Sequence, residues 1–187
     1  IVHHGLFWTQ QRLAGAMYRK AKTAITADLA VYSSHLPLDL HPKFGNCALL
    51  AKALGFRKFE PAFPFKGRPI GLKTTARIPV RELRDRLTKV LGSTPHLAAG
   101  GPAMTRCIGI LTGGAGGEVG TAAAEGVDTF ITGEGPHHSY TLAEELGINL
   151  FYGGHYATET FGVKALAAHL SRKFRVPWEF IDHPTGL

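Results

Sequence analysis

Short apolar runs alternate with helix-forming segments along almost the whole of this chain, and that rhythm restricts its fold more than any other feature. Apolar residues at helical spacing bury one face of a helix, whereas short β-rich runs bounded by Gly or Pro bury strands. The pattern predicts helices over 10–26, 46–54, 80–91, 118–125, 139–146 and 156–173. It predicts strands over 29–33, 69–76, 106–111, 129–132, 149–152 and 178–181, with residues 1–2 the tail of another. Asn46 is placed to cap its helix, Gly55 to end it, and proline to open the helix at 80. Residues 36–45 read as a loop broken by two prolines, and residues 56–68 as an irregular crossover. Alternation of this kind argues for an α/β protein whose sheets are sandwiched by helices.

Composition removes several alternatives. Apolar residues make up 44% of the 187 and charged residues 19%, below the roughly 25% charged of an average soluble domain and far from a disordered profile. The 23 Gly and 11 Pro would interrupt any long heptad repeat. No apolar run approaches the roughly 20 residues that span a bilayer, so a cytoplasmic protein with no membrane partner is expected. Cys47 and Cys107 form no CxxC and sit in apolar stretches, which reads as two buried thiols. The chain opens IVHHGLFW, without Met and inside an expected strand, so an upstream segment is expected. No targeting signal is visible in the rest. Lys and Arg outnumber Asp and Glu by 21 to 14. A field of that sign favours anionic ligands: nucleotides, phosphorylated metabolites or nucleic acid. The cluster Arg12, Arg19, Lys20 and Lys22 is equally well explained as a solvated helix face.

Three segments hold most of the suggestive chemistry. His3 and His4 end the first strand, where Gly5 lets the backbone twist so that both rings can serve neighbouring metals; taken alone, the pair is more simply two core or surface histidines. Asp39, in SHLPLD, lies just past the strand over 29–33, where α/β sheets gather ligands. Its local sequence favours a turn residue bonding its own backbone. His155 and Glu159 are four apart at a strand-to-helix junction, so a helix puts both on one face. That spacing serves a metal, and it is also common in surface pairs.

Three imidazoles and two carboxylates suit Zn, Fe, Mn or Ni better than Ca. Five ligands exceed the three plus water of a catalytic zinc, and two ions about 3.5–4 Å apart are the natural arrangement. Spacing alone does not bring them together. Glu134 follows a strand and reads as a general acid/base or a turn residue; His137 and His138 read as substrate contacts or solvated loop residues. The GGAGG turn at 113–117 lacks the Lys-Ser/Thr of a Walker loop and reads as a tight turn.

Taken together, VHHGLFW, YSSHLPLDLHPKFGNCALLAKALG, ITGEGPHH, GGHYATETFGVKALAAHL and FIDHPTGL resemble, in order and across residues 1–187, the Nif-three-like family of dinuclear metal centre hexameric proteins, or GTP cyclohydrolase I type 2 homologues. The resemblance implies two related α/β lobes in a three-layer arrangement, assembled as a homohexameric ring. It makes residues 1–60 the remainder of an incomplete N-terminal lobe and 61–187 the second lobe, with the metal site between them. It implies two divalent ions per subunit on His3, His4, Asp39, His155 and Glu159, with Glu134 and His35 as catalytic, substrate-facing residues. The implied function is a metal-dependent hydrolase acting on a small anionic substrate, a nucleotide or related heterocycle. A metal-binding or regulatory scaffold is the alternative, and a ring that threads nucleic acid ranks last.

Overall fold

The computed structural model describes residues 1–9 and 12–186. Six strands form one mixed sheet: β1 (Glu60–Phe65), β2 (Arg68–Thr75), β3 (His96–Ala99), β4 (Cys107–Ile110), β5 (Thr129–Thr132) and β6 (Asn149–Tyr152), in spatial order β1-β2-β4-β5-β6-β3. The helices are α1 (Gly15–Thr26), α2 (Leu36–Asp39), α3 (Asn46–Ala53), α4 (Val80–Leu91), α5 (Val119–Ala124), α6 (His138–Glu145) and α7 (His155–Phe174). The α/β expectation holds.

Strands β4, β5 and β6 run parallel, joined by crossovers that contain α5 and α6. Parallel strands are covered on both faces and therefore read as near-continuous apolar runs. CIGI and TFIT do so, and all four residues of β5 are buried. The antiparallel additions protect the edges. The hairpin β1–β2 closes through Lys66 and Gly67, both at positive φ (48° and 77°), the backbone that a two-residue hairpin turn requires.

The centre of the core is Phe63, whose ring meets Phe130 edge-on at 5.3 Å. It lies across Gly71 and Gly109 of the two neighbouring strands; a Cβ on either would stand 2.5 Å or 2.6 Å from the ring. Phe63 adopts a strained φ of +62°, and its N–H is taken by Glu125 Oε1 at 2.8 Å. Leu83 and Leu87, four apart on α4, pack into the same core.

Four local expectations are corrected. Residues 29–33 form no strand, only a single parallel bridge, Val2 to Ser33. No described strand flanks that bridge, so the ladder does not propagate, and Leu29 and Tyr32 stay exposed. Residues 178–181 likewise form no ladder; the segment is held instead by Lys164 Nζ, 4.1 Å above the Phe180 ring, and by Tyr156, which donates to Asp182 at 2.6 Å. Residues 56–68 are not irregular: they contain β1, whose Pro61 and Pro64 are tolerated because the strand is an edge. Asn46 does not cap α3; Gly45 occupies that position, and the Asn46 side chain is used elsewhere. The short strand β3 and helix α2 are additions that the sequence pattern did not contain. Gln10 and Gln11, expected to open the first helix, and Leu187, the end of the last motif, lie outside the described residues.

Phe63→Ala should destabilise the protein by about 3–5 kcal/mol through the cavity that it leaves. Gly109→Ala, which forces the same ring aside, should cost about 1–3 kcal/mol. Urea unfolding of both variants checks the pair, and a smaller loss for Phe63→Ala than for Gly109→Ala would overturn this account of the core.

Candidate metal centre

The site stands at the carboxyl ends of the parallel strands, where the turns after β4, β5 and β6 are lashed together. Gly133 N–H donates to Gly113 O at 2.9 Å, Gly154 N–H to Gly133 O at 2.8 Å, and Gly113 N–H to the Thr158 hydroxyl at 3.1 Å. A Cβ at Gly133 would meet Gly113 O and His155 Cα, both at 2.7 Å, so only glycine allows this approach. Gly154, at φ +94°, then turns the chain into α7, whose first turn presents His155 and Glu159 on one face.

The other residues arrive from the N-terminal segment. His3 follows the bridged Val2, and its Nδ1–H donates to Ser34 O at 3.0 Å, which turns Nε2 toward the Asp39 and Glu159 carboxylates. Asp39 ends α2 and is buried. Its Oδ1 accepts from Asn46 Nδ2 at 2.7 Å, while Asn46 Oδ1 accepts the Gly162 N–H at 2.7 Å. The fully buried Asn46 thus ties Asp39 to α7.

Glu159 Oε2 is the meeting point. His155 Nε2 lies 3.0 Å away, His4 Nε2 3.2 Å and His3 Nε2 3.6 Å, and Asp39 Oδ2 stands 3.2 Å from His3 Nε2. All three Nε2 atoms are buried, and none forms a well-aligned hydrogen bond, although each stands beside a carboxylate oxygen. Buried polar atoms are normally satisfied; in the metal-free protein His3 and His155 answer the carboxylates as protonated imidazoles, and once those protons leave, the same nitrogens and oxygens form the N and O ligand set that divalent cations take. His155 Nδ1–H donates to Glu134 Oε1 at 2.7 Å, the carboxylate–imidazole contact that orients metal-binding histidines. A Cβ on Gly113 would crowd Glu159 Oε1 at 2.1 Å, so this glycine vacates the space that the carboxylate fills. The residues present fit a metal.

Electrostatics agree. Burial works against a charged His3, but the Asp39 and Glu159 carboxylates beside it outweigh burial and hold it up to about 10. Glu159 chiefly, with Glu134, raises His155 to about 9 against its burial. Burial favours a neutral Glu159, yet His155 and His3 overcome it and hold the carboxyl down to about 2. Burial pushes His4 and His35 below the usual imidazole value.

The structure therefore brings His3, His4, Asp39, His155 and Glu159 together, with Glu134 behind His155. His35 stands closer than a remote substrate-facing residue would: ligand atoms of His3, His4, His35 and Glu159 all lie within 4.8 Å of one another. His137 and His138 are exposed and line neither the cavity of about 920 Å³ beside the cluster nor its neighbour of about 700 Å³. Sequence reasoning missed Asn46, taken for a cap, and Gly113, taken for a tight turn. It also missed Trp8, stacked on the His4 ring with centroids 5.0 Å apart. The only sequence signals for these were the glycine run and an aromatic residue four positions after His4.

Residues 1–185 match the family described as Duf34/NIF3 (NGG1p interacting factor 3), and the chain belongs to that family. A protein of Deinococcus radiodurans named "GTP cyclohydrolase 1 type 2 homolog" is 40% identical over 190 residues, covering 100% of this chain and 72% of the relative. A protein of the same name from Yersinia pestis is 39% identical, covering 98% and 74%. Among solved structures, TTHA1606 from Thermus thermophilus superposes with a TM-score of 0.86 at 36% identity, covering 100% of this chain and 75% of that one. Protein ybgI, solved in structural genomics and described as of unknown function, gives 0.89 at 33%, covering 98% and 75%. Among the described residues, no helix is long and apolar enough to cross a membrane.

Two expectations follow from this geometry. Gly113→Ala should displace the Glu159 carboxylate and lower bound metal at least about tenfold, read by elemental mass spectrometry; full metal retention would refute the role given to this glycine. The pH dependence has a definite sign. The imidazole contribution to metal-free stability is complete below the ordinary value of 6.5 and is lost as pH rises through about 9 and 10. The Glu159 contribution is complete above 4.5 and is lost as pH falls through about 2. Metal-free protein should therefore lose stability from about pH 7 to 10, while metal binding, which requires unprotonated imidazoles, should tighten over the same range. Denaturant melts with metal titrations across that range check both trends.

Proposed function

We propose that this protein is a dinuclear metal-dependent hydrolase acting on a nucleotide or related heterocycle, assembled as a homohexamer in the cytoplasm. The observation that carries the metal reading is the convergence of three buried imidazole nitrogens on one carboxylate, with a second buried carboxylate beside His3. His3, His4, Asp39, His155 and Glu159 would hold the ions, with Glu159 Oε2 the atom that stands beside all three imidazoles. Bound there, two divalent ions supply Lewis acidity and bring the pKa of water toward neutrality.

The chain's own groups do the rest. Glu134 fixes the His155 ring through Nδ1, and Ser34 fixes His3 in the same way. His35, which burial keeps neutral near pH 7, is placed to take up or return a substrate proton. The names carried by the relatives support a purine nucleotide as the first substrate to try. A metal-binding scaffold without turnover uses the same ligands, and one experiment separates the two.

Protein purified without chelator or affinity nickel should carry close to two divalent ions per chain. Asp39→Asn and Glu159→Gln should each lower that content and abolish any hydrolysis of a nucleotide panel assayed with the native metal. Metal content at the wild-type level in the double variant would sink the site assignment. Two bound ions with no turnover across nucleotides, nucleosides and free bases would favour the scaffold.

A further inference from the structure

The second nitrogen of a metal-binding imidazole is ordinarily held by an oxygen, which fixes the plane of the ring and aims the ligand atom. His3 and His155 follow that rule. Their Nδ1 atoms meet Ser34 O at 3.0 Å and Glu134 Oε1 at 2.7 Å. His4 departs from it: its Nε2 stands 3.2 Å from Glu159 Oε2, but no protein group among the described residues bonds its Nδ1. The side chain is 33% exposed, so water reaches the ring, yet an exchanging water does not fix its plane.

Packing takes the place of that bond. The indole of Trp8 lies flat on His4, with centroids 5.0 Å apart and 10° between planes. His35 and His155 meet the same imidazole edge-on, at 4.9 Å and 5.4 Å. Offset-stacked and edge-on contacts are the arrangements that aromatic rings prefer. Of these three neighbours, only Trp8 stands outside the cluster of titratable groups. The indole is itself held in place. Its backbone N–H donates to Gly5 O at 3.0 Å, closing a turn directly after His4, and its ring is braced on His35 at 4.4 Å. A Cβ on Gly5 would stand 2.8 Å from Ser33 Oγ, so the turn sits hard against the segment whose next residue holds His3. Trp8 is half exposed, and replacing it opens no cavity in the core.

We infer that Trp8 is a positioning residue of the metal centre: its indole keeps the His4 ring in the plane that aims Nε2 at the ions. Stacking does for His4 what hydrogen bonds to Ser34 O and Glu134 do for His3 and His155. The inference rests on the metal-centre reading above and adds to it a residue that gives the ions no ligand atom. A flat face is what the role requires, so phenylalanine should fill it and leucine should not.

The test is Mn(II) titration of the whole chain, with unbound ion read from its electron paramagnetic resonance signal. Trp8→Leu should weaken binding at least about tenfold, the low end of what losing a ligand's outer support costs, while Trp8→Phe should stay within about threefold of the wild type. In a His4→Ala background no ring is left to orient, so adding Trp8→Leu should change affinity by less than about twofold. A general loss of structure would persist in that background, so the cycle separates it from orientation. Unchanged affinity in Trp8→Leu, equal losses in the Leu and Phe variants, or the full loss repeated in the His4→Ala background would each overturn the inference. Wild-type protein that takes up no Mn(II), Fe(II) or Zn(II) would instead sink the metal-centre reading. Proton NMR of the metal-free protein then decides whether Trp8 holds the ring. The His4 C–H resonances should carry an indole ring-current shift that Trp8→Leu removes, and ordinary shifts in the wild type would overturn the inference there too.

Discussion

A carboxylate withdrawn from water has to be compensated, and Glu159 is the group around which this protein solves that problem. Its side chain is 10% exposed, yet its carboxyl is held down to about 2. Removing a carboxylate from water costs several kcal/mol unless opposite charge or donors replace the solvent. Here the replacement comes from three imidazoles supplied by segments far apart in sequence. In the metal-free state, protons on His3 and His155 balance the charge; divalent ions would do so at the same atoms. Positive charge thus faces the carboxylates in either state, and passage from one to the other would exchange protons for metal.

That arrangement depends in turn on how closely three strand ends can approach. Strand spacing in a sheet is fixed near about 4.8 Å, so three adjacent turns can share hydrogen bonds only where no side chain intrudes. Gly113, Gly133 and Gly154 meet that condition, and Thr158 pins the first of them from α7. The glycine run that looks like a phosphate cradle therefore serves a carboxylate: at Gly113 the missing side chain is the space that Glu159 occupies. Packing of this kind passes strain directly to the ligands, so the core beneath the site and the site itself are not separable. Phe63 across Gly71 and Gly109 shows the same use of glycine one layer down.

Much of this is legible in the sequence, for identifiable reasons. The parallel strands and α4, α5 and α7 follow from periodicity because both faces of the strands and one face of each helix are buried. The i,i+4 spacing by itself puts His155 and Glu159 on one face. What periodicity cannot supply is long-range: nothing local tells the Asn46 side chain to bond Asp39 and Gly162 when it could cap α3, and nothing about a short Ala-rich HLAA segment marks an edge strand. The expected strand at 29–33 illustrates the converse. Its β-branched and aromatic residues are real, but strand formation needs a partner ladder, and one bridge to Val2 is all that the described residues provide. Net charge misleads in a similar way, because a total of +7 says nothing about where the charges stand, and the site's cavity is lined by histidines and glutamates with no Lys or Arg among the described residues.

The N-terminal segment makes the consequence of that weak pairing concrete. Residues 1–59 contribute no strand to the sheet among the described residues, and Ile1, Val2, Phe7, Trp8, Leu29 and Tyr32 remain exposed. Val2 is fastened by backbone bonds to Tyr32 and Ser34, and His3 by its bond to Ser34 O. These bonds join the segment to itself. Its attachment to α7 runs through α3 packing on that helix, through Asn46, and through the contacts of His3 and His4 with Glu159. Two of those links are side-chain hydrogen bonds and imidazole–carboxylate pairs, each worth about 0.5–3 kcal/mol in water, against an entropy of ordering that grows with every residue held. A coordinated ion would replace the weakest of these links with ligand bonds whose free energy counts directly toward folding. A metal held by these residues would therefore also fasten to α7 the segment that supplies His3, His4 and Asp39.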